Sequence, residues 1–280
     1  MTGLWFSPAK INIMLHVVGK RADGYHNLQT IFQFLDFGDW MRFEPNSDGI
    51  LKRDYEYGFD EHTDINLRAA QLLRDYVGVK SLGVTISLDK YLPMGGGLGG
   101  GSSNAATTLI ALNDLWSLNL PDTILMELGL KLGADVPIFI YGKSAWAEGV
   151  GEQLFDIELP TPWYLVLYPK VGVSTAQVFS NNRLTPTPEM KKIRALRRSD
   201  LLASGGNDLQ PVVRRLVPEV DALLGWMEGR GEARMSGSGG SAFMPCDSEQ
   251  EAMALLQDSP DQFDGFVAQG LNTIDRCAKL

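Results

Sequence analysis

The chain has 280 residues, 44% of them hydrophobic and 21% charged, with 25 basic against 34 acidic side chains and a net charge of -9. Such a composition suits a soluble globular protein with enough apolar material for two cores, and the charge repels nucleic acid and anionic membrane surfaces, leaving small molecules as the expected partners. No apolar run has transmembrane length, the opening stretch lacks a secretion pattern, and Cys246 and Cys277 form no CxxC pair, so a cytoplasmic protein is expected. His16, His26 and His62 share no metal-ligand spacing, and no protein-held metal is expected.

In chain order, residues 4–18 and 29–44 alternate apolar and polar positions and predict two strands joined by a turn-like segment, 19–27. Asp64 is placed to cap a helix through Val77, with Leu67, Ala70, Leu73 and Val77 on one face. A β-branched run, Val84 to Leu88, predicts the strand before the glycine stretch PMGGGLGGGSSNAA, which begins at Pro93 and holds six glycines within seven positions. Behind it Asn104 to Trp116 has helical spacing, with Ser102 and Ser103 suited to its N-cap. Asp122 to Leu132 predicts a helix that Gly133 ends.

Trp163 to Tyr168 reads as a buried strand that opens a second domain. Thr185 to Pro188 reads as a surface loop, and the basic island Lys191, Lys192, Arg194, Arg197 and Arg198 as a solvated helix face. Asn207 and Asp208, after Gly205 and Gly206, predict a helix start, and Pro218 divides the helical stretch that follows into Leu209 to Val217 and Glu219 to Met227. A strand near Ala233, a second glycine loop from Met235 to Gly240 and a strand from Ser241 to Pro245 come next. Ser248 and Glu251 form a capping box for another helix, and Gly265 to Gln269 predicts the last strand. Strands and helices mixed without a strict βαβ rhythm predict an α+β fold in two domains, residues 1–155 and 156–280.

The first glycine loop joins a strand to a helix, where unhindered backbone N–H groups and the positive end of the helix dipole make a cradle for a polyphosphate. A branched side chain at Gly97 is expected to block that approach. Gly95, Gly97 and Gly100 fit the dinucleotide spacing G-x-G-x-x-G, but no second strand closed by an acidic residue follows about 20 positions on. No Walker loop exists, because no Gly-Lys pair has a glycine five positions before its own glycine, and no HRD or DFG triplet marks a protein kinase.

PAKINI at Pro8 to Ile13, the loop from Pro93 and MSGSGGSAF at Met235 together resemble the superfamily of galactokinase, homoserine kinase, mevalonate kinase and phosphomevalonate kinase. RADGYHNLQT from Arg21 and LGADVP from Leu132 are similar to one branch of it, which phosphorylates 4-diphosphocytidyl-2-C-methyl-D-erythritol on its 2-hydroxyl in non-mevalonate isoprenoid biosynthesis. The resemblance runs nearly end to end. It implies an N-terminal domain like ribosomal protein S5 domain 2, a ferredoxin-like C-terminal domain, and ATP, accompanied by magnesium, in the cleft between them.

By the same resemblance Asp135 is the candidate base and Lys10 its charged neighbour; on sequence alone Asp135 serves equally well as a cap after Gly133. An ammonium beside a carboxylate makes it a weaker proton acceptor, so orientation of the hydroxyl is an open alternative to proton capture. The resemblance implies ATP phosphates on Pro93, Met94, Gly95, Gly96, Gly97, Leu98, Gly99, Gly100, Gly101, Ser102 and Ser103, adenine near Asn66 and Leu67, and Lys90 just ahead of the loop. It implies substrate contacts from Asn12, from Ser236, Gly237, Ser238 and Gly239 facing the transferred phosphate, and from Tyr25, His26 and Phe179 around cytosine. The alternatives are a homoserine or mevalonate kinase of the same superfamily, a nucleotide-binding regulator without chemistry, and a dinucleotide oxidoreductase. DGYH speaks against the first, and the presence of both Lys10 and Asp135 against the second.

Overall fold

The computed structural model describes residues 3–22, 24–58, 60–181, 184 and 205–275. The surface loop Thr185 to Pro188, the basic island and Cys277 lie outside these residues. The chain opens with a long antiparallel hairpin, β1 (Leu4–Lys20) and β2 (His26–Asn46). Irregularities between Pro8 and Lys10 and between Asn12 and Met14 interrupt its register within the PAKINI segment, on either side of Lys10 to Asn12, and such bulges re-aim side chains. Much of β1 is buried on both faces, which is why its apolar run is denser than simple alternation.

Beyond the hairpin come β3 (Leu51–Arg53), α1 (Ile65–Val77) and β4 (Gly83–Asp89). The Asp64 side chain caps α1, accepting from the N–H groups of Asn66 and Leu67. Asn66, Ala69, Ala70 and Leu73 form the buried face of α1, which shares Ala70 and Leu73 with the expected one but turns toward Asn66 and Ala69, leaving Leu67 and Val77 half-buried. Helices α2 (Gly100–Leu115), α3 (Asp122–Leu132) and α4 (Val136–Tyr141) complete this part. With the sheet they enclose a core that includes Leu73, Leu109, Phe34 and Phe139.

After β5 (Ala145–Glu148) and β6 (Gln153–Asp156), β7 (Trp163–Pro169) starts a second core around Leu165, Leu223 and Met244. It is completed by α5 (Thr175–Phe179), α6 (Gln210–Leu216), α7 (Pro218–Glu228), β8 (Arg234–Met235), β9 (Ala242–Cys246), α8 (Glu249–Gln257) and β10 (Phe263–Leu271). Pro218 opens α7, as the expected division requires. The capping box is shifted by one: Ser248 accepts from the Glu251 N–H, while the Glu251 carboxylate takes the N–H of Asp247.

Strand β10 joins the two halves, pairing with β7 from Phe263 to Gln269 and with β2 at Gly270 and Leu271. The resulting strand path is β3-β4-β2-β10-β7-β9-β8, so the fold is α+β on one connected sheet. Between the halves lies a third apolar cluster that includes Ile13, Tyr164 and Phe266. There the Tyr164 hydroxyl donates to Gln33 Oε1 at 2.7 Å, fixing β7 against β2. Ile274 returns to the first core.

Candidate active site

A cleft of about 550 Å³ opens between the two halves, lined by β1, the glycine loop, the start of α4 and the second glycine turn. At its floor Lys10 is 2% exposed. Its Nζ donates to Asn12 Oδ1 at 2.6 Å and to the Gly97 carbonyl at 3.1 Å, and lies 3.0 Å from Asp135 Oδ2. The ammonium has two hydrogen-bond acceptors and one counter-charge, each on a different segment. Lys10 thus ties β1, the glycine loop and α4 together at one point.

Asp135 stands at the N-cap position of α4 without capping it, its side chain making no hydrogen bond to the helix. The carboxylate turns to Lys10 instead and remains 35% exposed to the cleft. Of the two sequence readings of Asp135, the structure forms the ion pair. Asn12 is held in turn by Thr30 Oγ1 at 2.8 Å, whose own proton goes to the Met14 carbonyl.

The glycine loop departs from expectation at its end. Helix α2 begins at Gly100, four residues before the expected start, and its N-cap is Gly99 in the left-handed region at φ 73°. Ser102 and Ser103 therefore sit inside the first turn and are not caps. The poor helix propensity of glycine suggested a loop, but packing overrides it. A Cβ on Gly99 would lie 2.7 Å from the Phe139 ring, so only glycine lets the helix start this close to α4 and Lys10. Ser102 lines the cleft, whereas Ser103 is fully buried, taking a 2.8 Å hydrogen bond from the Ser7 hydroxyl.

A Cβ on Gly97 would meet the Ser236 carbonyl oxygen at 2.2 Å, so this glycine is required by the second glycine turn, not by open space for a phosphate. The two turns are laced together: Ser236 Oγ donates to the Gly97 carbonyl at 2.9 Å and the Ser241 N–H to that of Gly96 at 2.9 Å. Gly237 and Ser238 reach the cleft; Ser236 and Gly239 stand behind it. The lining from Pro93 to Ser102 is continuous.

At the end of the cleft beside α1, Asn66 is 2% exposed, and Leu67 packs against the first core instead of lining the cleft. Lys90 pairs with Asp39, a carboxylate with no exposure that also accepts from Tyr91 N–H, Leu92 N–H and Asn104 Nδ2. This buried cluster fixes the chain just before Pro93. Sequence reasoning missed Asp39, whose one signal is an acidic residue after Gly38 within an otherwise apolar strand.

At the other end the His26 and Phe179 rings are 5.3 Å apart at 32°, and Phe179 lines the cleft. Burial, aided by the charge of Lys20, holds the His26 imidazole below the ordinary histidine value, so it stays neutral at pH 7. Tyr25 is 63% exposed and stands outside this ring pair. Thr175 Oγ1 meets Ser238 Oγ at 2.6 Å, linking α5 to the second glycine turn, a contact with no sequence signal.

Residues 64–143 match the family model for the GHMP kinases N terminal domain and residues 188–263 that for GHMP kinases C terminal. A Nitrosococcus oceani protein named 4-diphosphocytidyl-2-C-methyl-D-erythritol kinase is 49% identical over 270 residues, 96% of this chain and 95% of that one. Its namesake in Nitrosomonas europaea is 48% identical over 269 residues, covering 95% of both. A crystal structure of a 4-(cytidine 5'-diphospho)-2C-methyl-D-erythritol kinase aligns with TM-score 0.81 at 33% identity over 95% of this chain and 98% of that chain. A mevalonate kinase structure aligns with TM-score 0.71 at 15% identity over 97% and 99% of the two chains, a likeness of fold.

Proposed function

This chain belongs to the GHMP kinase family and, within it, to the 4-diphosphocytidyl-2-C-methyl-D-erythritol kinases, and we propose that its cleft transfers the γ-phosphoryl group of ATP to the 2-hydroxyl of that diphosphocytidyl alcohol. The products are the 2-phosphate and ADP, in non-mevalonate isoprenoid precursor synthesis. The observation that carries this reading is the Lys10–Asp135 pair beneath a continuous glycine lining. In the transfer the hydroxyl oxygen bonds to the γ-phosphorus as the bond to the β,γ-bridging oxygen breaks, and the hydroxyl proton passes to Asp135. Because Lys10 is held by two hydrogen bonds and by the Asp135 ion pair, it acts mainly by fixing Asp135 and the Gly97 carbonyl in place.

The backbone N–H groups at the start of α2 suit the ATP phosphates, Asn66 and Lys90 its nucleoside end, and the His26–Phe179 ring pair the cytosine, with Asn12, Gly237 and Ser238 facing the reacting group. The boundary between the ATP-binding part and the second part is placed near residue 155, where β6 ends. Among the described residues no three His, Cys, Asp or Glu side chains converge. A magnesium ion would accompany the ATP phosphates, and Asp135 is a carboxylate partly open to the cleft. When bound, it neutralises phosphate charge. A cytoplasmic site of action goes with the supply of ATP, and among the described residues no helix is long and apolar enough to cross a membrane.

The test is an ATP consumption assay across the diphosphocytidyl alcohol, methylerythritol 4-phosphate, mevalonate and homoserine. Turnover of the first alone is expected; equal turnover of mevalonate or homoserine would return the chain to the superfamily without a branch.

A further inference from the structure

Strand β1 pairs with β2 along one edge, and groups from other segments take up its second edge. The Lys10 N–H donates to the Leu98 carbonyl at 3.0 Å, the Asn12 N–H to Ser236 Oγ at 3.2 Å, and Arg234 Nη1 to the Ile13 carbonyl at 3.3 Å. Farther along, Leu15 and Asn207 form a parallel bridge. In it the Leu15 N–H donates to the Gly206 carbonyl and the Asp208 N–H to the Leu15 carbonyl, both at 2.9 Å. The Asp208 side chain closes the bridge: Oδ2 accepts the Val17 N–H at 2.9 Å, and Oδ1 lies 3.1 Å from His16 Nδ1.

Asn207 and Asp208 read in sequence as a helix start, and half of the Asn207 amide serves that purpose, its oxygen accepting the Leu209 N–H at 2.9 Å ahead of α6. The nitrogen has a different use. It donates at 2.8 Å to the Met235 carbonyl and at 2.8 Å to the Gly237 carbonyl, the residues on either side of Ser236 in the second glycine turn. Asn207 is 8% exposed, so water is a poor substitute for these bonds. Gly237 has φ 56°, and a Cβ there would lie 3.3 Å from both Lys10 Nζ and Asn12 Oδ1. Glycine in that region leaves its peptide free to flip, which would reverse the Gly237–Ser238 dipole beside Lys10. The Asn207 bond to the Gly237 carbonyl opposes the flip.

We propose that Asn207 and Asp208 are positioning residues for the phosphoryl transfer. Asp208 clasps the segment to β1, the strand that carries Lys10, and Asn207 uses that fixed point to hold the Gly237–Ser238 peptide in one orientation. The proposal rests on the reading that the transfer takes place at Lys10 and Asp135, beside this turn.

The experiment measures kcat and KM for ATP and for the diphosphocytidyl alcohol with the unmutated protein, Asn207→Asp, Asp208→Ala and Asp208→Asn, each variant checked for cooperative urea unfolding. Asn207→Asp keeps an oxygen for the Leu209 N–H but sets its other oxygen against two carbonyls, so the helix start survives the change and the peptide lock does not. Its kcat should fall by roughly 10²-fold, with both KM values within about threefold of the unmutated ones, the signature of misplacement without lost binding. Asp208→Ala should lose kcat in the same way, and Asp208→Asn, which can still accept the Val17 N–H, should recover most of it. Amide hydrogen exchange on the unmutated protein requires no variant to fold. ADP and the alcohol together should slow exchange at Leu15, Val17 and Asp208 by about tenfold, because coupling between clasp and cleft is reciprocal. Where the unmutated protein turns over the alcohol, an unchanged kcat in folded Asn207→Asp, or unchanged exchange at those three amides, overturns the proposal and leaves the function standing. No turnover of the alcohol by the unmutated protein overturns the functional reading and the proposal with it.

Discussion

Lys10 and Asp135 meet at 3.0 Å across the floor of the cleft, the lysine almost wholly buried and the carboxylate partly open to the substrate side. In the proposed transfer such a pair splits the labour: the buried member sets geometry and the partly open one meets the alcohol. Asp135→Asn keeps the side chain's size and can still accept from Lys10, but it loses the charge that receives a proton. We expect kcat to fall by roughly 10² to 10⁴ while both ligands still bind, the usual worth of a general base. Stopped-flow turnover beside calorimetry checks it, and a loss below tenfold would assign Asp135 to orientation of the hydroxyl.

Gly101 lies in the first turn of α2, where an added Cβ would meet nothing within 4 Å, and it lines the cleft. Gly101→Ala should therefore act with opposite signs on folding and on binding. Alanine in a helix is favoured over glycine by roughly 0.5–1 kcal/mol, so the urea midpoint should hold or rise. The added methyl should nevertheless weaken ATP by standing where a phosphate approaches the backbone. Gly97→Val is the poorer probe, since its side chain would collide with the Ser236 carbonyl and disturb both glycine turns. Unchanged ATP affinity in Gly101→Ala would remove this face of the turn from the phosphate site.

Lys90→Met tests the anchor ahead of the loop. It leaves the fully buried Asp39 carboxylate with its three neutral donors but without a counter-charge. Removing one partner of a buried pair costs about 3–5 kcal/mol, and the surviving hydrogen bonds place the expectation at the lower end. Urea unfolding reads the value directly. A cost under about 1 kcal/mol would mean that Lys90 is held for the cleft and not for Asp39.

The His26 ring gives a pH prediction. Its folded value is held below the ordinary histidine value, so neutral imidazole is the form the fold favours. Stability from this group is present above the unfolded value of about 6.5 and is lost as pH falls through the lowered folded value. Affinity for the cytidine ligand should be flat from about pH 8 to about 6.5 and decline below the folded value, where the imidazolium can donate but no longer accept. A uridine analogue, with a 4-carbonyl in place of the 4-amino group, should be a far poorer substrate at about pH 8, by ~10⁴ if buried polar groups go unpaired. The gap should narrow on acidification. Equal kcat/KM for the two at that pH would remove the cytosine assignment and keep the kinase family.

Phe179→Ala should cost the cytidine ligand the ~0.5–1.5 kcal/mol of an aromatic pair plus the area it covers, with ATP unaffected. Because His26 is the ring that Phe179 meets, the double variant with His26→Ala should lose less than the sum of the singles. Strict additivity in calorimetry would show that the two rings serve the ligand separately.

The parts of this site legible in the sequence were those carried by local chemistry. The Asp64 cap, Gly133 and Pro218 act within one turn of themselves, and they fall where the structure has them. The start of α2 is not legible in the same way, because propensity counts glycine against a helix, whereas the close approach of Phe139 is a tertiary fact. Asp39 with Asn104, Tyr55 with Asn66, and Thr175 with Ser238 are partners brought together from different elements. No spacing rule within a single segment contains them. Tyr25 beside His26 shows the converse, since neighbours in sequence on an extended chain point apart, and only His26 turns to Phe179.

Strand β10 is made after every other strand described, yet it is the piece that pairs with both β7 and β2, setting Gly270 opposite Leu35. On a ribosome, then, the hairpin that carries Lys10 is finished long before the strand that fastens it to the second half. Until residues 263–271 emerge, β7 and part of β2 present open edges, and open edges recruit other strands. The order of synthesis thus makes the joining of the two halves the last step in building this sheet, and a nascent chain stalled before β10 should be prone to pair those edges with other strands.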